Sequence, residues 1–287
     1  MADPKLRQML NAGDFILAPG IFDGISALLA DRAGFPALYV TGYGTVASHM
    51  GLPDAGIATY RDMVERIGMM VARTSTPVIA DADTGYGGLL NVRHTVRGYE
   101  AAGVTALQME DQEFPKRCGH TLGRRVIPTA DMCRKIEVAV DSRTSDDFLI
   151  VARTDSRTSL GLDEAIARGR AYAAAGADVI FVESPESEDE MKRVCDEIDA
   201  PLFANMVNGG RTPLLPAERL KEIGYAIAIH PAVGFLAMGA ALRDAYADLK
   251  SHGETTDAVD LHDFSKFNEL VGFPDVWAFE KRFPETD

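Results

Sequence analysis

The chain has 287 residues, of which 46% are hydrophobic and 25% charged, and its formal net charge is −14. That length suits one large α/β domain or barrel, and the negative charge argues against nucleic acid as a partner. Cys118, Cys133 and Cys195 lie far apart without a C-x-x-C pair, which argues against a disulfide framework or a cysteine-rich zinc site.

The first residues, MADPKLRQMLNAGDF, lack the apolar run of a signal peptide. No stretch reaches the roughly 18 apolar residues that a membrane helix needs, so a cytoplasmic protein without membrane contact is expected. Short runs rich in Val, Ile and Ala then recur: FILAP (15–19), ALYVTG (37–42), PVIADAD (77–83), ALQMED (106–111), FLIVARTD (148–155), DVIFVES (178–184), PLFANM (201–206) and AIAIHP (226–231). Runs of this kind suit parallel strands buried on both faces. Amphipathic stretches separate them, among them 59–75 with Met63, Ile67, Met70 and Val71, and 162–176 with Leu162, Ala165, Ile166, Gly169 and Ala173. Gly34, Gly103, Gly176 and Gly224 each stand where a helix should stop before the next strand. Cys133 and Cys195 fall in helical stretches as packing residues.

Eight strands alternating with helices predict a (β/α)8 barrel of the TIM type. The rival, a doubly wound open sheet, usually carries a Gly-rich phosphate turn after its first strand, and APGIFDG is not that motif. Residues 1–287 are read as a single barrel domain, with a C-terminal helical tail from about 250 to 287 that contains Trp277 and is long enough to pack on a neighbouring subunit.

In such a barrel the site lies where the strands end, and residues i and i+2 share a face. That rule pairs Asp81 with Asp83, Gln108 with Glu110, and Tyr39 with Thr41. If those faces point inward, Asp81, Asp83 and Glu110 converge, and three like charges there raise each other's pKa or call for a cation. All-oxygen ligation with room for water suits Mg²⁺; the alternative is that these acids merely cap loops and helices. Glycines beside Thr41 free backbone amides for an anion, Arg153 offers a bidentate partner for a carboxylate, and Glu183 and Asn205 end the sixth and seventh strands.

The connection after the fourth strand, DQEFPKRCGHTLGRRVIP (111–128), is long for a βα loop, and long loops in compact domains are often lids. Lys116, Arg117 and His120 surround Cys118 with positive charge, which lowers a thiol pKa. The stretch by itself allows a nucleophile or proton donor, or an ordinary thiol in a basic loop. A metal ligand is the weaker reading, because no second cysteine or suitably spaced histidine lies nearby.

PKRCGH resembles the K-[KR]-C-G-H signature of the isocitrate lyase and phosphoenolpyruvate mutase superfamily. DADTGYG, MEDQ, VARTD, FVES and NMVNGGRTP follow in the order and spacing of that family, from about residue 5 to the C-terminus. The resemblance implies a (β/α)8 barrel binding Mg²⁺, with Mn²⁺ as a substitute, and a small anionic 2-hydroxy or 2-oxo di- or tricarboxylate. It implies that Asp83 contacts the ion, that Asp81 and Glu110 hold its waters, and that Thr41, Gly42 and Tyr43 receive a substrate carboxylate. Arg153 is implied to grip the substrate, Asp54 to lie near metal and substrate, and Glu183 and Asn205 to be site residues, with Lys116, Arg117 and Gly119 on the substrate side of the loop. It further implies tetramers with C-terminal helices exchanged between subunits.

The cysteine places the chain with the lyase branch. The implied activity is cleavage of a substituted malate, such as 2-methylisocitrate or 2,3-dimethylmalate, to pyruvate or glyoxylate plus a carboxylic acid. Cys118 protonates the departing carbanion, His120 assists, and Tyr39 is the expected base for the hydroxyl. The NMVNGG stretch (205–210) is closer to dimethylmalate lyase, oxaloacetate hydrolase and petal-death-type enzymes, and also resembles carboxyphosphonoenolpyruvate mutase, although Asn208 replaces the usual Glu. Oxaloacetate acetylhydrolase and mutase activities are the alternatives.

Overall fold

The computed structural model describes residues 2–117, 119 and 123–284. Eight strands form a closed barrel, each parallel to its neighbours. They are β1 (Ile16–Ile21), β2 (Leu38–Val40), β3 (Val78–Asp81), β4 (Ala106–Glu110), β5 (Leu149–Thr154), β6 (Val179–Val182), β7 (Leu202–Asn205) and β8 (Ile227–His230). The expected (β/α)8 architecture is the observed one.

The side-chain alternation of the strands divides the apolar residues between two layers. Ile16, Ile79, Leu149, Val151, Phe181 and Ile227 fill the barrel interior. Leu38, Val40, Leu107, Ile150, Ile180 and Ala228 point outward to the helices. One layer was absent from the sequence reading: the helix Lys5–Ala12 brings Leu6 into contact with the interior cluster, and Leu6 is fully buried. The helix stops at Gly34, Gly103, Gly176 and Gly224 hold, with φ of 78°, 87°, 101° and 117°. Cys133 and Cys195 sit on the helices Thr129–Ser142 and Glu188–Glu197, half-buried. Burial pushes the Cys195 thiol up to about 12, as expected of a packing residue.

One expectation changes. β3 ends at Asp81, so Asp83 does not share its strand face; φ of 48° at Asp83 turns the chain after the strand, and the Asp83 amide donates to Asp81 Oδ1 at 3.0 Å. The helix Val233–His252 has no buried residue, and its first turn brings Phe235 against Phe22 and Tyr43. The helix Phe264–Val271 is tied to the barrel where Arg32 donates to the carbonyls of Glu269 and Leu270, while the helix Phe273–Arg282 has no buried residue. Among the described residues, no helix is long and apolar enough to cross a membrane.

Barrel closure between β1 and β8 depends on a residue without a side chain. A Cβ at Gly20 would overlap the backbone carbonyl of Pro231, just beyond β8, and backbone has little room to yield. Gly20→Ala is expected to destabilise the fold by about 1–3 kcal/mol. A thermal melt with the same midpoint as the parent would show that the closure tolerates a side chain there.

Candidate active site

The inward face of each strand continues beyond the apolar interior as a ring of polar residues. Tyr39 ends the inward row of β2, Asp81 follows Ile79, Glu110 and Gln108 follow Ala106, and Arg153 follows Leu149 and Val151. Glu183 and Asn205 extend the inward rows of β6 and β7 in the same way. Of these, Tyr39, Asp81, Glu110, Arg153, Glu183 and Asn205 line a cavity of about 220 Å³, together with Thr41, Tyr43, Asp54, Lys116, Arg117 and Gly119. The cavity is the size of a small organic acid and sits at the end of the strands where barrel sites form.

One side is built on a helix N-terminus. Thr41 caps the helix Gly42–Met50, and its Oγ1 accepts from the Gly44 amide at 3.5 Å. The amides of Gly42 and Tyr43 precede the first intrahelical bond, which makes this end a receptor for an anion. Gly42 also has a steric reason: a Cβ there would lie 2.5 Å from Asp81 Oδ2.

The acidic side is organised by Lys116, in a way the sequence reading did not foresee. Its Nζ lies 2.5 Å from Asp54 Oδ1 and 2.6 Å from Asp83 Oδ1, and the side chain is buried. Its charge is therefore shared between these two carboxylates. Burial opposes its charge, but Asp83 and Asp54 keep the ammonium pKa well above its ordinary value. Burial pushes Asp83 up to about 7, with Asp81 and Asp54 adding to the rise and Lys116 opposing it. Burial likewise holds Glu110 well above the usual carboxylate range, against the pull of Arg153.

Among the described residues, no three His, Cys, Asp or Glu side chains form a ready cage for a metal ion. The arrangement nonetheless fits a hard cation that keeps most of its waters. Asp81, Asp83 and Glu110 are buried, oxygen-only donors, Glu110 Oε1 has no hydrogen-bond partner, and the Lys116 ammonium already stands as a cation against Asp83.

The basic side centres on Arg153. Its Nε and Nη2 donate to Asp155 at 2.9 Å each. Glu183 Oε2 lies 3.2 Å from Nη2, Glu110 Oε2 lies 3.4 Å from Nε, and the guanidinium stacks 5.0 Å from the Phe181 ring centroid. The bidentate partner expected to be a substrate carboxylate is thus Asp155, which occupies the Nε–Nη2 edge of the guanidinium. Burial would raise the Asp155 pKa, but Arg153 and then Arg124 hold it below the usual range. Asn205 Nδ2 donates to Glu183 at 3.0 Å.

Tyr39 does not suit the role of a base. Its hydroxyl donates to Gln108 Oε1 at 2.6 Å, and burial followed by the charge of Asp81 pushes its pKa well above 10. Asp111, Gln112, Arg124 and Asp155 were missed as supports of the site. Asp111 accepts from the Asp155 amide at 2.9 Å, from Thr154 Oγ1 and Tyr172 at 2.7 Å and from Arg168 at 3.1 Å. Gln112 pins the loop, donating to the Arg117 carbonyl at 2.8 Å and accepting from its amide at 2.9 Å. The signal was present in MEDQ and in the i, i+2 relation of Arg153 to Asp155, but it says nothing of the partners. Arg117 is exposed at the cavity wall. Cys118 and His120 lie outside the described residues.

Gly119 between them is buried, its carbonyl accepting from Ser184 Oγ at 3.2 Å. A Cβ on Gly119 would overlap Arg153 Nη2 and lie 2.9 Å from Glu183 Oε2. The glycine of the loop signature is therefore the contact by which the loop rests on the strand-five and strand-six residues.

A family model for phosphoenolpyruvate phosphomutase matches residues 6–250. The chain belongs to that family. In sequence, 2,3-dimethylmalate lyase of Eubacterium barkeri is 46% identical over 280 residues, covering 97% of each chain. In structure, a 2,3-dimethylmalate lyase described as a PEP mutase/isocitrate lyase superfamily member matches with a TM-score of 0.92 at 38% identity, covering 100% of this chain and 99% of the other. Oxaloacetate acetylhydrolase bound to 3,3-difluorooxalacetate matches with a TM-score of 0.92 at 36% identity, covering 98% and 97%. This phosphoenolpyruvate phosphomutase family member thus carries the fold and the loop signature that the sequence motifs imply.

The Gly119 contact makes a claim that needs no knowledge of the substrate. Gly119→Ala is expected to hold the loop away from Arg153 and to speed tryptic cleavage after Arg117 by at least about tenfold, since local opening exposes the backbone. Equal cleavage rates in both proteins would show that the contact does not hold the loop.

Proposed function

We propose that this chain is a divalent-metal-dependent carbon–carbon lyase that splits a substituted malate of the 2,3-dimethylmalate type into a 2-oxo acid and a carboxylic acid. The 46% identity across 97% of both chains to a 2,3-dimethylmalate lyase carries the reading. The division of the cavity supports it. One wall is acidic and basic, whereas Val207, Pro231, Phe235 and Leu236 supply an apolar wall suited to methyl substituents.

The first-turn amides after Thr41 receive one substrate carboxylate, and Arg153 faces the oxygens of the reacting carbon. Asp83 would hold the metal ion directly, with Asp81 and Glu110 as partners of its waters. When bound, Mg²⁺, or Mn²⁺ in its place, supplies charge stabilisation for the 2-oxo acid end. A base removes the C2 hydroxyl proton, the C2–C3 pair of electrons leaves toward C3 as the C2 carbonyl forms, and C3 takes a proton from the Cys118 thiol. With 2,3-dimethylmalate the products are pyruvate and propionate, which accounts for every atom. His120 belongs to the proton-transfer side of the loop, and Lys116 holds Asp54 and Asp83 in place. Asn208 and Tyr43 complete the cavity rim.

The chain is read as one barrel domain with a C-terminal tail, acting in the cytoplasm as a homotetramer. Exposed apolar residues on the last helices, among them Tyr246, Phe264, Trp277 and Phe279, support packing of the tail on a neighbouring subunit. Sedimentation velocity is expected to give the mass of four chains, and Trp277→Asp combined with Phe279→Asp to give smaller species. A monomeric parent would end the tetramer reading.

The activity is tested by 2-oxo acid release from 2,3-dimethylmalate, 2-methylisocitrate and oxaloacetate. Release from a substituted malate is expected with Mg²⁺ and is lost on chelation. Cys118→Ala is expected to lower kcat by about 10²–10⁴-fold, the range of a positioned proton donor. Oxalate formation from oxaloacetate without malate cleavage would move the chain to the hydrolase activity, and no turnover of any of them would reject the lyase.

A further inference from the structure

The loop after β4 is held by more than Gly119. Residues 112–113 pair antiparallel with 125–126: Gln112 bridges Val126, the Glu113 amide donates to the Arg125 carbonyl at 2.8 Å, and the Ile127 amide donates to the Asp111 carbonyl at 2.9 Å. This short ladder delivers Arg124 to the barrel, where it is 4% exposed. Its Nη1 donates to Asp155 Oδ1 and its Nη2 to Thr158 Oγ1 at 2.6 Å. Asp155 Oδ1 is the same oxygen that receives Arg153 Nη2. Asp155 is fully buried and fixed from behind by its amide bond to Asp111 Oδ1.

One carboxylate thus serves two arginines, one in the loop and one in the cavity. We infer that Arg124 is a positioning residue for Arg153, acting through the carboxylate of Asp155 that both share. Arg153 has three buried carboxylates around it, Asp155, Glu110 and Glu183. Its location is the balance of their pulls. Arg124 draws part of the negative charge of Asp155 to itself and weakens the pull on Arg153 from that side. Without Arg124, Asp155 has one guanidinium where it had two, and Arg153 shifts toward it, away from the ligand side of the cavity. A shift of this kind, of about 1 Å, is enough to cost about 10²-fold in rate.

The inference rests on the reading of Arg153 as the side chain that faces substrate. Arg124→Ala is expected to lower kcat/KM for 2,3-dimethylmalate about 10²-fold. Arg124→Lys keeps a charge but not the planar fork, so it is expected to recover about tenfold of that loss. In an Arg153→Lys background, Arg124→Ala is expected to have less than a threefold further effect, because residues acting through one another are not additive. The same order, parent above Arg124→Lys above Arg124→Ala, is expected for oxalate affinity measured by calorimetry in Mg²⁺. Full additivity with Arg153→Lys, or oxalate affinity and kcat/KM within threefold of the parent in Arg124→Ala, would overturn the inference. Should Arg124→Ala not fold, Arg124→Lys alone decides: losses that persist unchanged in the Arg153→Lys background would overturn it. Absence of turnover in the parent would reject the lyase reading instead, while the oxalate series would still test the arginine coupling.

Discussion

The strand ends of this barrel, with Asp54 from the connection between the helices Gly42–Met50 and Tyr60–Val71, bring Asp54, Asp81, Asp83, Glu110, Asp155 and Glu183 into a space that largely excludes water, and the placement of cations against them governs the rest of the site. A desolvated carboxylate is costly unless it is paired and hydrogen-bonded. Lys116 answers Asp54 and Asp83, Arg153 answers Glu110, Asp155 and Glu183, and Arg124 takes a share of Asp155. Asp81 has no ion pair among the described residues, and Glu110 keeps one oxygen without a partner. Negative charge is therefore left over on the side of the cavity formed by β3 and β4, which is where a hydrated divalent ion has its electrostatic reason to bind.

The same balance explains why the connection after β4 is long. Two of the three balancing cations, Lys116 and Arg124, come from this loop rather than from a strand. A short βα turn could not carry side chains to Asp83 on one side and to Asp155 on the other. Gln112 and the ladder of 112–113 with 125–126 anchor the base of the loop, and Gly119 lets its tip approach Arg153 and Glu183. The loop thus covers the cavity and supplies cations to its buried carboxylates with the same residues.

Much of this could be read in the residues. Continuous apolar runs gave the strands, glycines gave the helix stops, the i, i+2 rule put Asp81 and Glu110 inside the barrel, and their places at strand ends pointed to Arg153 and Glu183. The rule failed at Asp83 because the strand had already ended, and no alternation applies across a residue with positive φ. The roles of Lys116, Arg124 and Tyr39 were hidden for a different reason: they depend on which partner lies across the cavity. Basic residues beside a cysteine suggested thiol activation, whereas distance from Asp54 and Asp83 decides where the charge of Lys116 is used. A tyrosine at a strand end suggested a base, whereas the bond to Gln108 keeps its proton on it.

The pairing of Arg153 with Asp155 has a consequence for selectivity. A free guanidinium fork binds any carboxylate in a bidentate manner, but here the Nε–Nη2 edge is already occupied. Arg153 is left as a source of positive charge with a restricted set of N–H directions, better matched to a single oxygen than to a whole carboxylate. On the proposed reading, carboxylate recognition then falls to the helix N-terminus at Thr41–Gly42–Tyr43. On the proposed reading, the separation of these two jobs would orient an acid in the cavity: its carboxylate end at the helix amides, the oxygen on its reacting carbon at Arg153, and its apolar substituents at the wall of Val207, Phe235 and Leu236.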